Sequence, residues 1–292
     1  RRCEAAIDKK KSNASNKRNE SKMRMATLFV AHGGGPMPIL GMDPITKAHL
    51  QSVQAHLPEK PKAVLVVSAH WEADPVRVQS SAKPGMFFDY YGFPEESYAY
   101  KYDAPGSPEL AAKVQKLLQS KDIPCELDAG RDYDHGVFVP MMLAFPEHDV
   151  PVLELSVHAS LDAAKHLAIG AALKPLRDDG VLILGSGMSF HNMAAFRRGG
   201  RGTELGSDSR VGDDFDEALT KTLLDAKTHA ARVAALAEWT ALPGARDAHP
   251  REEHLLPLMV VVGAADDRDA PSRYFSDSIL NAAVSAFKFS SS

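Results

Sequence analysis

The 292-residue chain is 44% hydrophobic and 25% charged, with a formal net charge of -4. Such a composition suits one large α/β domain or two small ones, and argues against nucleic acid, whose phosphates demand clustered positive charge. Cys3 and Cys125 stand too far apart for a disulfide framework or a thiolate metal site, and fit a reducing, cytoplasmic setting. No apolar run approaches the roughly 18 residues that cross a bilayer, so no membrane partner is expected.

Residues 1–24 are polar and mostly basic, including Lys9-Lys10-Lys11. They cannot bury enough surface to offset their ordering entropy and read as a disordered tail. Residues 25–292 read as a single domain. The apolar run Thr27-Leu28-Phe29-Val30 is a buried strand that stops at Ala31-His32-Gly33-Gly34-Gly35-Pro36. A helix over 45–56 follows, then a strand over 63–69 that ends in Ala69-His70-Trp71-Glu72, and a short strand over 76–79. Residues 87–107, rich in Tyr, Gly and Pro, carry no helical period; loops this long shape a site or cover one.

An amphipathic helix over 108–121 has Leu110, Val114, Leu117 and Leu118 on one face, and Cys125-Glu126-Leu127 is a strand. Asp134-His135-Gly136 precedes an internal helix over 137–144. A strand over 150–157 ends beside His158, a helix spans 163–176, and Asp178-Asp179-Gly180 stops it. The next strand, 181–184, runs into Gly185-Ser186-Gly187 and then His191-Asn192. Residues 197–207 read as a glycine- and arginine-rich surface loop, 213–239 as one long helix, and 255–264 as an apolar helix after Glu253-His254. Alternating strands and helices imply an α/β fold with a central, mainly parallel sheet flanked by helices.

A lone histidine is usually structural, and His49, His56, His148, His166 and His229 read that way, on polar helix faces or loops. His158 sits at a strand end without other signals. His32, His70 and His191 differ, because each follows an apolar strand and parallel strand ends converge on one edge of the sheet. His254, at a turn-to-helix junction, can point to the same edge. Neutral imidazole binds zinc and iron, so these side chains read either as metal ligands or as pocket histidines holding no metal. Asp134 can orient the ring of His135, whose ordinary pKa suits proton transfer at neutral pH. Ser186 lacks a nucleophile elbow, and the triple glycine lacks the Lys-Ser/Thr of a P-loop and the spacing of a dinucleotide fold.

His-Gly-Gly-Gly-Pro at the first strand, Ser68-Ala69-His70-Trp71, Asp134-His135-Gly136, Gly185-Ser186-Gly187 with His191-Asn192, and Glu253-His254-Leu255-Leu256-Pro257-Leu258 stand in an informative order. Over residues 26–265 the chain resembles the class III extradiol ring-cleavage dioxygenases, and within them the 4,5-DOPA dioxygenase extradiol-like branch. Tyr102-Asp103-Ala104-Pro105-Gly106-Ser107-Pro108 is similar to that branch too. The resemblance implies His32, His70 and His254 as metal ligands. His191 would complete a four-imidazole zinc site or act as an acid/base beside iron, and His135 would move protons on the substrate. Fe2+ is the implied cofactor, with Zn2+ an alternative occupant in a purified sample. A small catechol and O2 are the implied partners, with the 87–107 and 241–249 loops walling the pocket and Tyr90, Tyr91 and Tyr133 as contacts to the aromatic ring. Two other functions remain open: a zinc hydrolase on the same fold and a metal-free binding protein. Glu253 could replace His254 as ligand, but adjacent helical side chains diverge by about 100°, and His254 is favoured.

Overall fold

The structure, a computed structural model, describes residues 24–199 and 212–291. The expected tail therefore lies outside the described residues except for Arg24, which is buried, and so does most of the expected 197–207 loop. In chain order the first half runs β1 (Thr27–Ala31), α1 (Pro44–Gln51), β2 (Ala63–Ala73), β3 (Val76–Gln79), α2 (Pro108–Gln119), β4 (Cys125–Asp128) and α3 (His135–Ala144). The second half runs β5 (Val152–His158), α4 (Ala163–Leu173), β6 (Val181–Gly187), α5 (Met193–Gly199), α6 (Asp213–Leu224), α7 (His229–Ala237), α8 (Ala245–Ala248), α9 (Leu256–Gly263), β7 (Asp269–Ile279) and β8 (Ala282–Ser291).

The eight strands among the described residues form one sheet in the order β4-β3-β5-β2-β6-β1-β8-β7. At its centre β5, β2, β6 and β1 are parallel, with Ser68 opposite Ser186 and Ala31 opposite Gly187. That register brings the carboxyl ends of β1, β2 and β6 level at one edge, where an open α/β sheet binds its ligands.

The central strands are buried on both faces, and their residues alternate between two cores. Phe29, Ala31, Leu65, Val67 and Ile183 face the core that holds α4, α6 and α9. Leu28, Val30, Val64, Val66, Leu182 and Leu184 face the core that holds α3 and the buried side of α1. Helix α2 shows how the sequence sets an element: Ser107 caps it by accepting from the Leu110 amide, and Pro108 supplies a pre-formed first turn. Its face of Ala111, Val114 and Leu118 is fully buried, worth about 1.5–3 kcal/mol for each of the larger side chains.

Two expectations fail. The segment 213–239 is not one helix. Helix α6 stops at Leu224, Thr228 caps α7 by accepting from the Ala231 amide, and a 3-10 turn covers Trp239–Ala241. The apolar period continues across the break, but Asp225-Ala226-Lys227-Thr228 ends one helix and caps the next. The second is an omission: β7 and β8 form a long antiparallel hairpin, with β8 pairing to β1. Its turn uses Leu280 and Asn281, both with positive φ, instead of the Asn-Gly pair that marks such turns in sequence.

Candidate metal centre

Five stretches of chain bring histidines to the carboxyl edge. His32 is the residue after β1, and its backbone amide still donates to Gly187 O of β6. His70 leaves β2 through a bulge: Ser68 opposes Ser156 and Glu72 opposes Val157, so Ala69, His70 and Trp71 have no partner in β5. A bulge re-aims side chains, and here it turns His70 towards His32. His135 opens α3, where Gly136 permits the approach of β2; a Cβ on Gly136 would lie 2.7 Å from Ser68 Oγ and 2.9 Å from His70 Cδ2. His254 precedes α9, pinned by its own carbonyl, which accepts from the Met188 amide at 3.0 Å. Gly187 makes that contact feasible, since its Cβ would meet the same carbonyl oxygen at 2.1 Å. His191 follows β6 and donates its amide to Ala248 O, while Asn192 donates to Asp247 O, so α8 braces this segment.

The rings meet. Centroids of His32 and His70 are 4.9 Å apart, His32 and His254 5.3 Å, His70 and His254 4.9 Å, and His70 and His135 3.9 Å. His191 stacks on His254 at 3.4 Å. All five candidate histidines are thus in one cluster, and His135 is as deep in it as the expected ligands. Candidate donor atoms fall into two close sets, His32 with His70 and His135, and His191 with Glu253 and His254.

Hydrogen bonds on the outer ring nitrogens fix which atoms are free. Ser186 donates its hydroxyl to Gly136 O, so its oxygen accepts from His32 Nδ1 at 3.0 Å. Glu253 Oε1 accepts from His254 Nδ1 at 2.8 Å and lies 3.2 Å from His191 Nδ1. Asp89 Oδ1 accepts from His135 Nδ1 at 2.8 Å. A carboxylate can only accept, so Nδ1 carries the proton in His254 and His135 and their Nε2 lone pairs are left bare. Such outer partners orient metal-binding imidazoles and raise their basicity.

The electrostatics favour neutral rings. Burial, reinforced by the neighbouring imidazoles, holds the pKa of His32 well below its ordinary value. Burial does the same for His254 against the opposing hydrogen bond to Glu253, and lowers His70 to about 4. Glu253 is pulled well below the usual carboxylate range, because the hydrogen bonds from His191 and His254 outweigh the cost of its burial. His32 Nε2 and His70 Nε2 lie 3.2 Å apart. Two imidazole nitrogens bound tetrahedrally to one zinc-like ion at about 2.0–2.1 Å would be separated by about 3.3 Å. Neutral nitrogen donors, anchored from behind and converging at that distance, fit a divalent transition metal.

Some sequence expectations need correction. Asp134 does not orient His135; its carboxylate accepts from Ser68 Oγ and from Arg131 Nη2 at 2.5 Å. Tyr133 is fully buried with its hydroxyl donating to Val152 O, on the core side of the sheet, and Tyr91 is 92% exposed. Only Tyr90 of the three lies near the cluster, its ring 6.0 Å from His135. His158, though at the same sheet edge, is held by the Ser160 amide and Lys165 outside the cluster. Glu253 proves to be a bracket for two histidines, and Arg251 ties it to Glu72 by donating to both carboxylates. Asp89 went unnoticed in sequence, its only signal being a carboxylate among aromatic residues in a long loop.

A sheet edge gathering buried imidazoles gives an α/β fold a donor set that suits a divalent metal. The family model described as the catalytic LigB subunit of aromatic ring-opening dioxygenase matches residues 26–288, and the chain belongs to that family, the class III extradiol dioxygenases. It is 40% identical to a Beta vulgaris protein named 4,5-DOPA dioxygenase extradiol, over 82% of this chain and 87% of that one. It is 36% identical to the dioxygenase tasH of Hapsidospora irregularis, over 87% and 82%. Among solved structures, an uncharacterized protein of Escherichia coli K12 superposes with a TM-score of 0.70 at 26% identity, covering 91% of this chain and 99% of its own. Among the described residues no helix is long and apolar enough to cross a membrane.

Proposed function

We propose that the protein is a non-haem extradiol dioxygenase that opens the ring of a small, DOPA-like catechol with O2, using ferrous iron, in a reducing cytoplasmic setting. The observation that carries this reading is the meeting of His32, His70 and His254, with His135 and His191 beside them, the outer nitrogens of His32, His135 and His254 tied back. His32, His70 and His254 would hold the metal. An iron ion there would supply the coordination sphere in which both catechol oxygens and O2 meet, making their encounter effectively unimolecular.

The chain's own residues supply the rest. His135 Nε2 takes a proton from a catechol hydroxyl, and His191, stacked on His254 and facing Glu253, gives a proton back as the ring opens. Glu253 keeps both of its histidines in orientation. The names of the Beta vulgaris and Hapsidospora irregularis relatives support catechol oxygenation over hydrolysis by zinc or a metal-free role.

Oxygen uptake with a panel of catechols after anaerobic reconstitution with ferrous iron tests the reading. Consumption of O2 matched to ring-opened product is expected. A folded, iron-loaded sample that consumes none with any catechol overturns it, and metal-dependent ester or amide hydrolysis in anaerobic, iron-free buffer would replace it with the hydrolase.

A further inference from the structure

We propose that Asp89 is the positioning residue for His135, selecting the ring form that can accept a proton, and that loop 87–107 completes the site by delivering this carboxylate. The activity part of the proposal rests on the dioxygenase reading; the part about the ring does not.

One oxygen of Asp89 makes two bonds to the same residue. Oδ1 accepts from the backbone amide of His135 at 2.9 Å and from its ring Nδ1 at 2.8 Å. The first bond holds the opening turn of α3, whose amides have no partners within the helix. The second dictates the tautomer: the proton sits on Nδ1, and Nε2 offers a lone pair. Oδ2 faces His70 Nδ1 at 3.7 Å, so a single carboxylate stands behind two neighbouring rings.

Among the described residues no other acid bonds to the His135 ring. Asp134 adjoins His135 in the chain, yet its oxygens are occupied by Ser68 and Arg131. The other ring groups close to His135 are His32, His70 and Tyr90, none of which is a carboxylate. Asp89 is fixed in place from both sides. The Phe87 amide donates to Tyr133 O at 2.8 Å, and the Tyr90 hydroxyl donates to Ser97 O at 2.6 Å.

In the transfer itself the catechol O–H bond breaks and an N–H bond forms at His135 Nε2, while the electron pair stays on the catechol oxygen. The resulting imidazolium keeps its other proton in the bond to Asp89, whose negative charge stabilises it. Without that carboxylate the ring is free to carry its proton on Nε2, where it blocks the acceptance.

The test uses Asp89→Asn, which preserves size and offers an amide N–H in place of an oxygen. In metal-free, 15N-labelled protein, long-range 1H–15N spectra report the ring form, with His135 assigned by its disappearance in His135→Gln. The parent should show Nδ1-protonated His135 and Asp89→Asn the Nε2-protonated form. With ferrous iron and a catechol, kcat should fall about 10–100-fold, with KM and bound iron within about twofold of the parent. An Nε2-protonated ring in the parent, an unaltered ring in the variant, an unaltered kcat, or loss of iron in step with activity would each overturn the proposal. A parent that turns over no catechol but shows the tautomer switch would sink the dioxygenase reading and leave the assignment of Asp89 to the ring standing.

Discussion

The two edges of the central sheet each bury a polar cluster, and they are built on opposite plans. At the amino ends of β1 and β6, Arg177 is completely buried and all three of its nitrogens are hydrogen-bonded. It donates to Met25 O at 2.7 Å, to Ala264 O at 2.9 Å and to both oxygens of Asp269 at 2.6 Å, while Arg24 adds a bond to Asp269. At the carboxyl ends, bases gather with bases, their outer nitrogens tied back and their inner ones converging on a shared space. Buried polar groups normally find partners. The closed cluster knits the start of β1, the turn before β6 and the start of β7 into one body, whereas the open cluster leaves its inner nitrogens facing one another.

That contrast can be broken at several points. His254→Ala removes a nitrogen donor and should strip most of the iron, taking turnover to background; elemental analysis of the purified variant checks this, and full metal occupancy would remove His254 from the ligand set. His135→Gln should keep its iron while turnover falls about 10²–10⁴-fold, the usual share of acid–base catalysis. Loss of iron in that variant would move His135 among the ligands.

The opposite edge responds in stability alone. Asp269→Ala leaves Arg177 buried without its counter-charge and should cost about 3–5 kcal/mol by denaturant unfolding, with iron per folded chain unchanged. A cost below about 1 kcal/mol, the range of exposed pairs, would show that the cluster is not closed as described.

The smallest effect concerns pH. His249 is buried, its Nε2 donating to Ser189 O, and burial lowers its pKa to about 4. Above about pH 6.5, the ordinary histidine pKa, both folded and unfolded chains keep this ring neutral. Between there and pH 4 only the unfolded chain takes up the proton, so stability falls as the pH drops, by up to about 1.4 kcal/mol per unit. His249→Gln should lose that part of the slope; metal-free parent and variant with equal slopes would show that the ring is not held neutral.

Much of the site could be read in the sequence because its histidines end apolar strands, and parallel strands leave no choice about which edge those ends share. Gly136 and Gly187 stand in the motifs that the sequence displays, but the close backbone approach they permit is visible only in the fold. What stayed hidden depends on contacts between distant segments. Asp89 has no spacing relation to His135, and only the folded loop brings them together. Asp134 misled because adjacency in the chain is not adjacency of side chains at a helix start.

His49 and His166 illustrate the same blindness away from the site. Both look like polar-face residues in sequence and both are buried. His49 stacks on Phe275 of β7 at 4.2 Å, so overlooking the hairpin meant overlooking what covers this ring. His166 donates from Nδ1 to Asp162 O and accepts the His158 amide at Nε2, a structural role complete in itself.

The hairpin has a wider consequence. Because β8 hydrogen-bonds to β1, the strand that carries His32 has neighbours on both sides, Thr27 facing Ile183 on one and Phe289 on the other. A rim strand offers its unpaired amides and carbonyls to any passing chain and invites accretion. Placing β7 outermost, with Ala270, Arg273, Ser276 and Asp277 exposed along it, shifts that exposure two strands away from the chemistry. Whatever disturbs the rim, whether a fusion partner or a neighbouring molecule, must first unzip β7 and β8 before it can tug on His32.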